Sequence, residues 1–188
     1  MKFLSIFSLA ILSASSALAQ IIPPKFYPPN GTYYIYNVQY KRIFDNANGV
    51  ATEGNSIIGW PAHPQATPEN QQWLVEGSGN GNNYSVTMRV VSTIQQHPDT
   101  GGYAVNLDGK IVHSANAASW TLQPVPNACS QFMIADCNLA IALDNGSAQT
   151  VPQAQLTAEA VNPNATNQHW VFVPIDQITE FLTENGSG

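Results

Sequence analysis

The 188-residue sequence is short of charge. Six Lys and Arg and twelve Asp and Glu make up a tenth of it, against a typical quarter. So few bases, with a formal net charge of −6, exclude the cationic face that nucleic-acid binding requires. A normal 44% of hydrophobic residues excludes intrinsic disorder, which combines low hydrophobicity with high charge. Long apolar runs are missing too, so no membrane insertion is expected. The four histidines, His63, His97, His113 and His169, have no metal-ligand spacing such as H-x-x-x-H. No G-x-S-x-G elbow or P-loop occurs, and the twelve acids sit mostly in turn-like contexts. The chain is expected to be no enzyme and to carry no cofactor or metal.

What is abundant is neutral amide. Eighteen Asn and fourteen Gln outnumber all charges, alongside 13 Gly and 13 Pro. This is the composition of a turn-rich globular protein with an uncharged surface.

Residues 1–19 read as a secretory signal. Lys2 supplies the positive start, Phe3 to Leu12 a short apolar stretch, and Ala17-Leu18-Ala19 the small-x-small cleavage pattern. The mature chain is then expected to begin at Gln20 and to be secreted to the extracellular space, with a Pro-rich leader over 20–30. Export makes the five N-x-S/T triplets, at Asn30, Asn83, Asn145, Asn164 and Asn185, candidate glycan acceptors. It also makes a disulfide the default for Cys129 and Cys137. However, Ser130 to Asp136 alternates like a strand and would span roughly 26 Å at about 3.3 Å per residue. A disulfide tolerates a Cα separation of only about 7 Å. Either the segment bends back sharply or the bridge does not form within the chain.

An internal repeat organises the rest. Aromatic-led alternating runs open at Tyr33, Tyr84 and Phe132, 51 and 48 residues apart. A second short run follows each: Arg42–Asn46, Tyr103–Gly109 and Leu139–Gly146. Each unit closes on a Trp with apolar residues behind it, at Trp73, Trp120 and Trp170, spaced 47 and 50. Two independent markers give one period. Period-2 alternation, β-branched and aromatic content, and Gly, Pro, Asn and Asp punctuation make each unit β-rich. No helical periodicity is evident from 31 to 175. Three units, each with room for about four strands, are too few for a propeller, and a solenoid would leave uncapped ends. Closure around a three-fold pseudo-axis removes the sheet edges and makes the three Trp equivalent core residues. Beyond Pro174, Asp176 to Leu182 could form two helical turns capped by Asp176, followed by a mobile tail from Glu184.

Asn70-Gln71-Gln72-Trp73 and Asn167-Gln168-His169-Trp170 carry a Q-x-W signature. With Asp45 and Ile57-Ile-Gly-Trp60-Pro61 before the first of them, residues 31–175 resemble the ricin B-chain-like lectins, in particular secreted fungal members. The resemblance implies an all-β β-trefoil and sugar binding. In that family a working repeat uses an Asp on the second run, an aromatic fifteen residues on, and the Asn-Gln before the Trp. Here this gives Asp45, Trp60, Asn70 and Gln71. The chemistry suits a sugar: flat apolar area for a C–H face, a carboxylate for hydroxyl hydrogens, and an amide that both donates and accepts. Ile58 stands where the family often has Gln. In the second unit Asn106 takes the Asp position and Ala117-Ala118 replace the amide pair. In the third, Asn167, Gln168 and Gln155 persist, but Ala142 replaces the Asp and Thr157 the aromatic. One principal site, in the first repeat, is therefore expected, with glycans as partners. Gln71 and Gln168 also read as amides that bond backbone, and Asp45 as a turn residue. The chain is similar as well to mycocypins, trefoil protease inhibitors; on that alternative, Pro61–Glu69 or Gln95–Gly102 would meet a protease.

Overall fold

The computed structural model describes residues 27–65, 68–79, 84–98, 101–143 and 153–186. Among these residues the chain forms twelve strands, four per repeat. The first repeat holds β1 (Gly31–Asn37), β2 (Ile43–Asn46), β3 (Ile57–Trp60) and β4 (Trp73–Ser78). The second holds β5 (Ser85–Val90), β6 (Tyr103–Leu107), β7 (Lys110–Ser114) and β8 (Trp120–Pro124). The third holds β9 (Phe132–Asp136), β10 (Leu139–Leu143), β11 (Ala154–Ala160) and β12 (Trp170–Pro174). Alternation produces them directly: along β5, Val86, Met88 and Val90 are buried and the residues between them are not.

First and last strands of each repeat close a six-stranded barrel, in the order β1-β4-β5-β8-β9-β12 and back to β1, all antiparallel. Closure leaves the barrel without an open edge. The middle strands form hairpins β2–β3, β6–β7 and β10–β11. These meet one another through β3–β11, β7–β11 and a bridge between Ser56 and Val112. Where they meet, Gln155 points its amide nitrogen at the equivalent carbonyls of all three repeats: Ile57 at 3.0 Å, Ile111 at 3.0 Å and Leu156 at 2.9 Å. This is the three-fold closure expected from the repeat and the all-β trefoil that the resemblance implies.

The three tryptophans do the same job in each repeat. Trp73, Trp120 and Trp170 are at most 1% exposed. Their indole N–H groups donate to Phe44 (3.2 Å), Ala104 (2.9 Å) and Ile141 (2.8 Å) carbonyls. Each fills the core and ties its cap hairpin to the barrel.

Several expectations change. A helix, α1 (Val91–Gln96), interrupts the second repeat between β5 and β6. It escaped the periodicity because only Ser92 and Thr93 of it are buried, so no apolar stripe marks it. The C-terminal helix, α2 (Ile178–Asn185), starts later than expected and has Gln177, not Asp176, at its N-cap. Ile178, Phe181 and Leu182 cover Tyr34, Tyr36 and Ile43. The tail is not loose from Glu184: the Tyr36 hydroxyl donates to the Gly186 carbonyl at 3.2 Å. Cys129 and Cys137 are both free and exposed, with the extended β9 between them. Residues 1–19 and most of the leader lie outside the described residues. The leader's end is seated: Tyr27 stacks on Tyr84, centroids 4.5 Å apart.

Candidate functional site

Asp45 lies near the end of β2, only 3% exposed. Across the hairpin, Trp60 ends β3 and remains half-buried. A short 3₁₀ turn, Pro68–Asn70, returns the chain towards Asp45. Asn70 Nδ2 donates to Asp45 Oδ1 at 2.9 Å, and Gln71 Nε2 to Asp45 Oδ2 at 2.9 Å. His63 Nε2 stands 3.9 Å from Oδ2. Asp45, Trp60 and Asn70 thus converge on one open pocket of 220 Å³, together with Asn48, His63 and Gln153.

Gln71 is placed differently from the other three. It is fully buried, and its amide also donates to the Pro61 carbonyl at 3.0 Å and accepts from the His63 N–H at 3.2 Å. It holds the strand-to-turn connection and orients Asp45 from behind, away from the pocket. The turn role considered for Asp45 belongs to Asn46, whose side chain bonds Val50 O (3.0 Å) and Asn55 Nδ2 (2.8 Å).

Burial pushes the Asp45 carboxyl up to about 6, although the Gln71 hydrogen bond, the His63 charge and the Asn70 hydrogen bond all favour its ionised form. Taking a carboxylate out of water outweighs three partners that share its burden. Remaining lone pairs on both oxygens leave room for further donors.

The other repeats lack this arrangement. Strand register pairs Asp45 with Ile58, Val105 with Val112 and Ala142 with Thr157. The Trp indoles agree, each bonding the residue just before that position. Val105, not Asn106, is therefore the second repeat's counterpart of Asp45. Asn106 instead accepts the Gly109 N–H at 3.0 Å as a turn residue. The counterparts of Trp60, opposite Ile43 in the first repeat, are Ser114 and Glu159; Thr157 matches Ile58. Fixed spacing misplaced them because the three hairpin loops differ in length. In the third repeat Asn167 Nδ2 donates to Leu143 O (3.2 Å), and Gln168 bonds Ala160 O and Asn162 N, both at 2.9 Å. Its amide pair serves backbone only.

Neither the repeat nor the family spacing marks three further pocket residues, His63, Asn48 and Gln153. His63 sits in the segment leading from Trp60 to the Q-x-W motif, a placement that could have flagged it. Gln153 comes from the third repeat, and no local spacing reaches it. Of the sequons, Asn30, Asn164 and Asn185 are exposed, whereas Asn83 and Asn145 lie outside the described residues. Asn185 Nδ2 donates to Phe181 O at 2.9 Å. In the segments an inhibitor would present, Gln95 and Gln96 belong to α1, and Pro68 and Glu69 to the 3₁₀ turn. Among the described residues no group of three or more His, Cys, Asp or Glu is placed to hold a metal ion. No helix there is long and apolar enough to cross a membrane.

No family model and no curated protein sequence matches the chain. Solved structures do. The Rhizoctonia solani agglutinin is similar at TM-score 0.62 and 23% identity, over 79% of this chain and 98% of that one. A Macrolepiota procera ricin B-like lectin in complex with lactose is similar at 0.61 and 22%, over 79% and 99%. A designed three-fold symmetric protein, ThreeFoil, is similar at 0.59 and 16%, over 77% and 99%. The chain has the β-trefoil fold.

Proposed function

We propose that this is a secreted, lectin-like protein that binds carbohydrate at one principal site in its first repeat. The observation that carries the reading is the convergence of Asp45, Trp60 and Asn70 on a single open pocket. A half-buried indole offers flat apolar area to the C–H face of a sugar ring at little entropic cost. The ionised Asp45, with Asn70 and Gln71 fixing its two oxygens, accepts hydroxyl hydrogens through charge-assisted bonds. Asn70 uses its Nδ2 on Asp45 and keeps a carbonyl oxygen for the ligand. The lactose complex of a similarly folded lectin supports the ligand class. Secretion rests on residues 1–19, and glycan attachment on the exposed Asn30, Asn164 and Asn185. One site per chain gives weak monovalent binding, so tight attachment to a glycosylated surface requires more than one chain.

The test is a glycan array probed with the parent protein and with Trp60→Ala, whose fold is checked by thermal unfolding. Binding by the parent and its loss in the folded variant is the expected result. Equal binding by both overturns the site, and no binding by either overturns the function.

A further inference from the structure

A second hollow adjoins the pocket. It has a volume of 430 Å³ and shares Asn48, His63 and Asn70 with the first. Its far wall is α1, contributing Ser92, Gln95 and Gln96, and its floor includes Glu69 of the 3₁₀ turn. The first pocket, at 220 Å³, is smaller than the roughly 300–1,000 Å³ of sites that engulf drug-sized ligands. The second falls within that range, and the two form one groove running from Trp60 to α1.

This wall is firmly held. Val91 N–H donates to Gln72 O at 2.9 Å, fixing the start of α1 beside the amide segment of the first repeat. The Thr93 hydroxyl lies 2.9 Å from His113 Nε2. Beyond the helix, Arg89 spreads its guanidinium over three carbonyls, those of Gly101 (2.5 Å), Pro98 (3.0 Å) and His97 (3.0 Å). The same guanidinium lies over the Tyr103 ring, 5.6 Å from its centroid. A helix with so little apolar surface is thus clamped on both sides, while its Gln95 and Gln96 stay exposed.

Two residues that line the groove also bury polar atoms without partners. Ser92 is 8% exposed, and its buried hydroxyl has no hydrogen-bond partner. Nor has His63 Nδ1, on the shared wall between the two hollows. A buried polar group left unmatched is costly and calls for an explanation. The remaining lining is Gly49, neutral amides and a single carboxylate, Glu69, with no Lys or Arg among it. Hydroxyl-bearing ligands suit such a wall, and an anionic ligand would meet Glu69 and Asp45.

We infer that the α1 hollow is a second sugar subsite, so that the ligand is an oligosaccharide of at least two residues laid along the groove, one ring at Trp60 and the next against Ser92, Gln95 and Gln96. This inference rests on the carbohydrate reading of the first pocket and assigns to α1 the recognition of the extending residue.

The test is an array carrying galactose, N-acetylgalactosamine, N-acetylglucosamine and mannose, each beside the di- and trisaccharides that extend it. The parent, a Ser92→Ala/Gln96→Ala double variant and a Gln95→Ala/Gln96→Ala double variant are compared, all checked for folding by thermal unfolding. Gln95 and Gln96 are exposed, so the second double variant keeps the experiment informative if the Ser92 change perturbs the helix. The expected result is at least tenfold stronger binding of one extended glycan than of its monosaccharide, with both double variants narrowing that ratio at least threefold. Equal binding of monosaccharides and extended glycans, or a ratio unchanged in both variants, overturns the subsite and leaves the first pocket standing. No binding to any glycan overturns both.

Discussion

The first and third repeats share the Asn-Gln-x-Trp motif and differ in what the amides hold. In both, the Gln side chain closes the same connection, bonding one carbonyl and one N–H upstream of the 3₁₀ turn. In both, the Trp is core. Asn167 then turns to the Leu143 carbonyl, whereas Asn70 turns to Asp45. Two residues beyond Asp45's partner Ile58, the first repeat offers a half-buried Trp60 opposite Ile43; the corresponding residue of the third repeat is Glu159 opposite Ala140, and a fully buried Ala142 takes the place of Asp45. The motif itself is therefore a folding device. What the first repeat adds to it is a carboxylate on the second strand and an aromatic at the end of the third, the two groups on which the proposed sugar site depends.

The largest expected effect tests the shared part. Trp73→Ala and Trp170→Ala should each destabilise by about 3–5 kcal/mol in denaturant titrations, with no great difference between repeats. A cost confined to one repeat would break the equivalence.

Next comes proton linkage, which should distinguish the repeats. The Asp45 carboxyl titrates at about 6 in the folded protein against an ordinary 3.8, so the native state holds this proton more tightly than the unfolded chain. Its contribution to stability is greatest below about pH 4. It falls by about 3 kcal/mol as pH rises through 6 and is flat above about pH 7. Comparing the unfolding free energies of parent and Asp45→Asn across pH 3–7 isolates this group from the other carboxylates. Sugar binding runs the opposite way and strengthens as pH rises through about 6, since the ionised carboxylate is the better acceptor.

A smaller loss follows from Asp45→Ala, which leaves the donors of Asn70 and Gln71 without their acceptor, at about 1–3 kcal/mol. Relief of the carboxylate's desolvation offsets part of it. Ala142 has no such partners, so Ala142→Gly should not affect binding. Smallest is His63→Ala: an imidazole 38% exposed and 3.9 Å from the carboxylate contributes less than about 1 kcal/mol, visible as a modest drop in sugar affinity.

Much of the fold was legible because the repeat marks it twice, once by aromatic openings and once by Trp. β1, β5 and β9 begin within about two residues of the openings. The Asp45, Trp60 and Asn70 trio was legible from the family spacing in the one repeat whose loop has the family's length. The same spacing failed for Val105 and Glu159, because hairpin register rather than residue count decides which side chains face each other. Helix α1 was illegible because it carries no apolar stripe: its first N–H donates to the Gln72 carbonyl, and Arg89 bonds the carbonyls that follow its last turn. Gln153 entered the pocket through a contact between repeats that no local pattern encodes.

The most direct measurement of the difference between repeats is a calorimetric titration with the best glycan from the array, run on the parent, Trp60→Ala and Glu159→Ala. One glycan per chain is expected, with affinity falling by at least about thirtyfold (about 2 kcal/mol) in Trp60→Ala and staying within about twofold in Glu159→Ala. Two or three glycans per chain, or binding that survives Trp60→Ala and fails in Glu159→Ala, would contradict a single site in the first repeat.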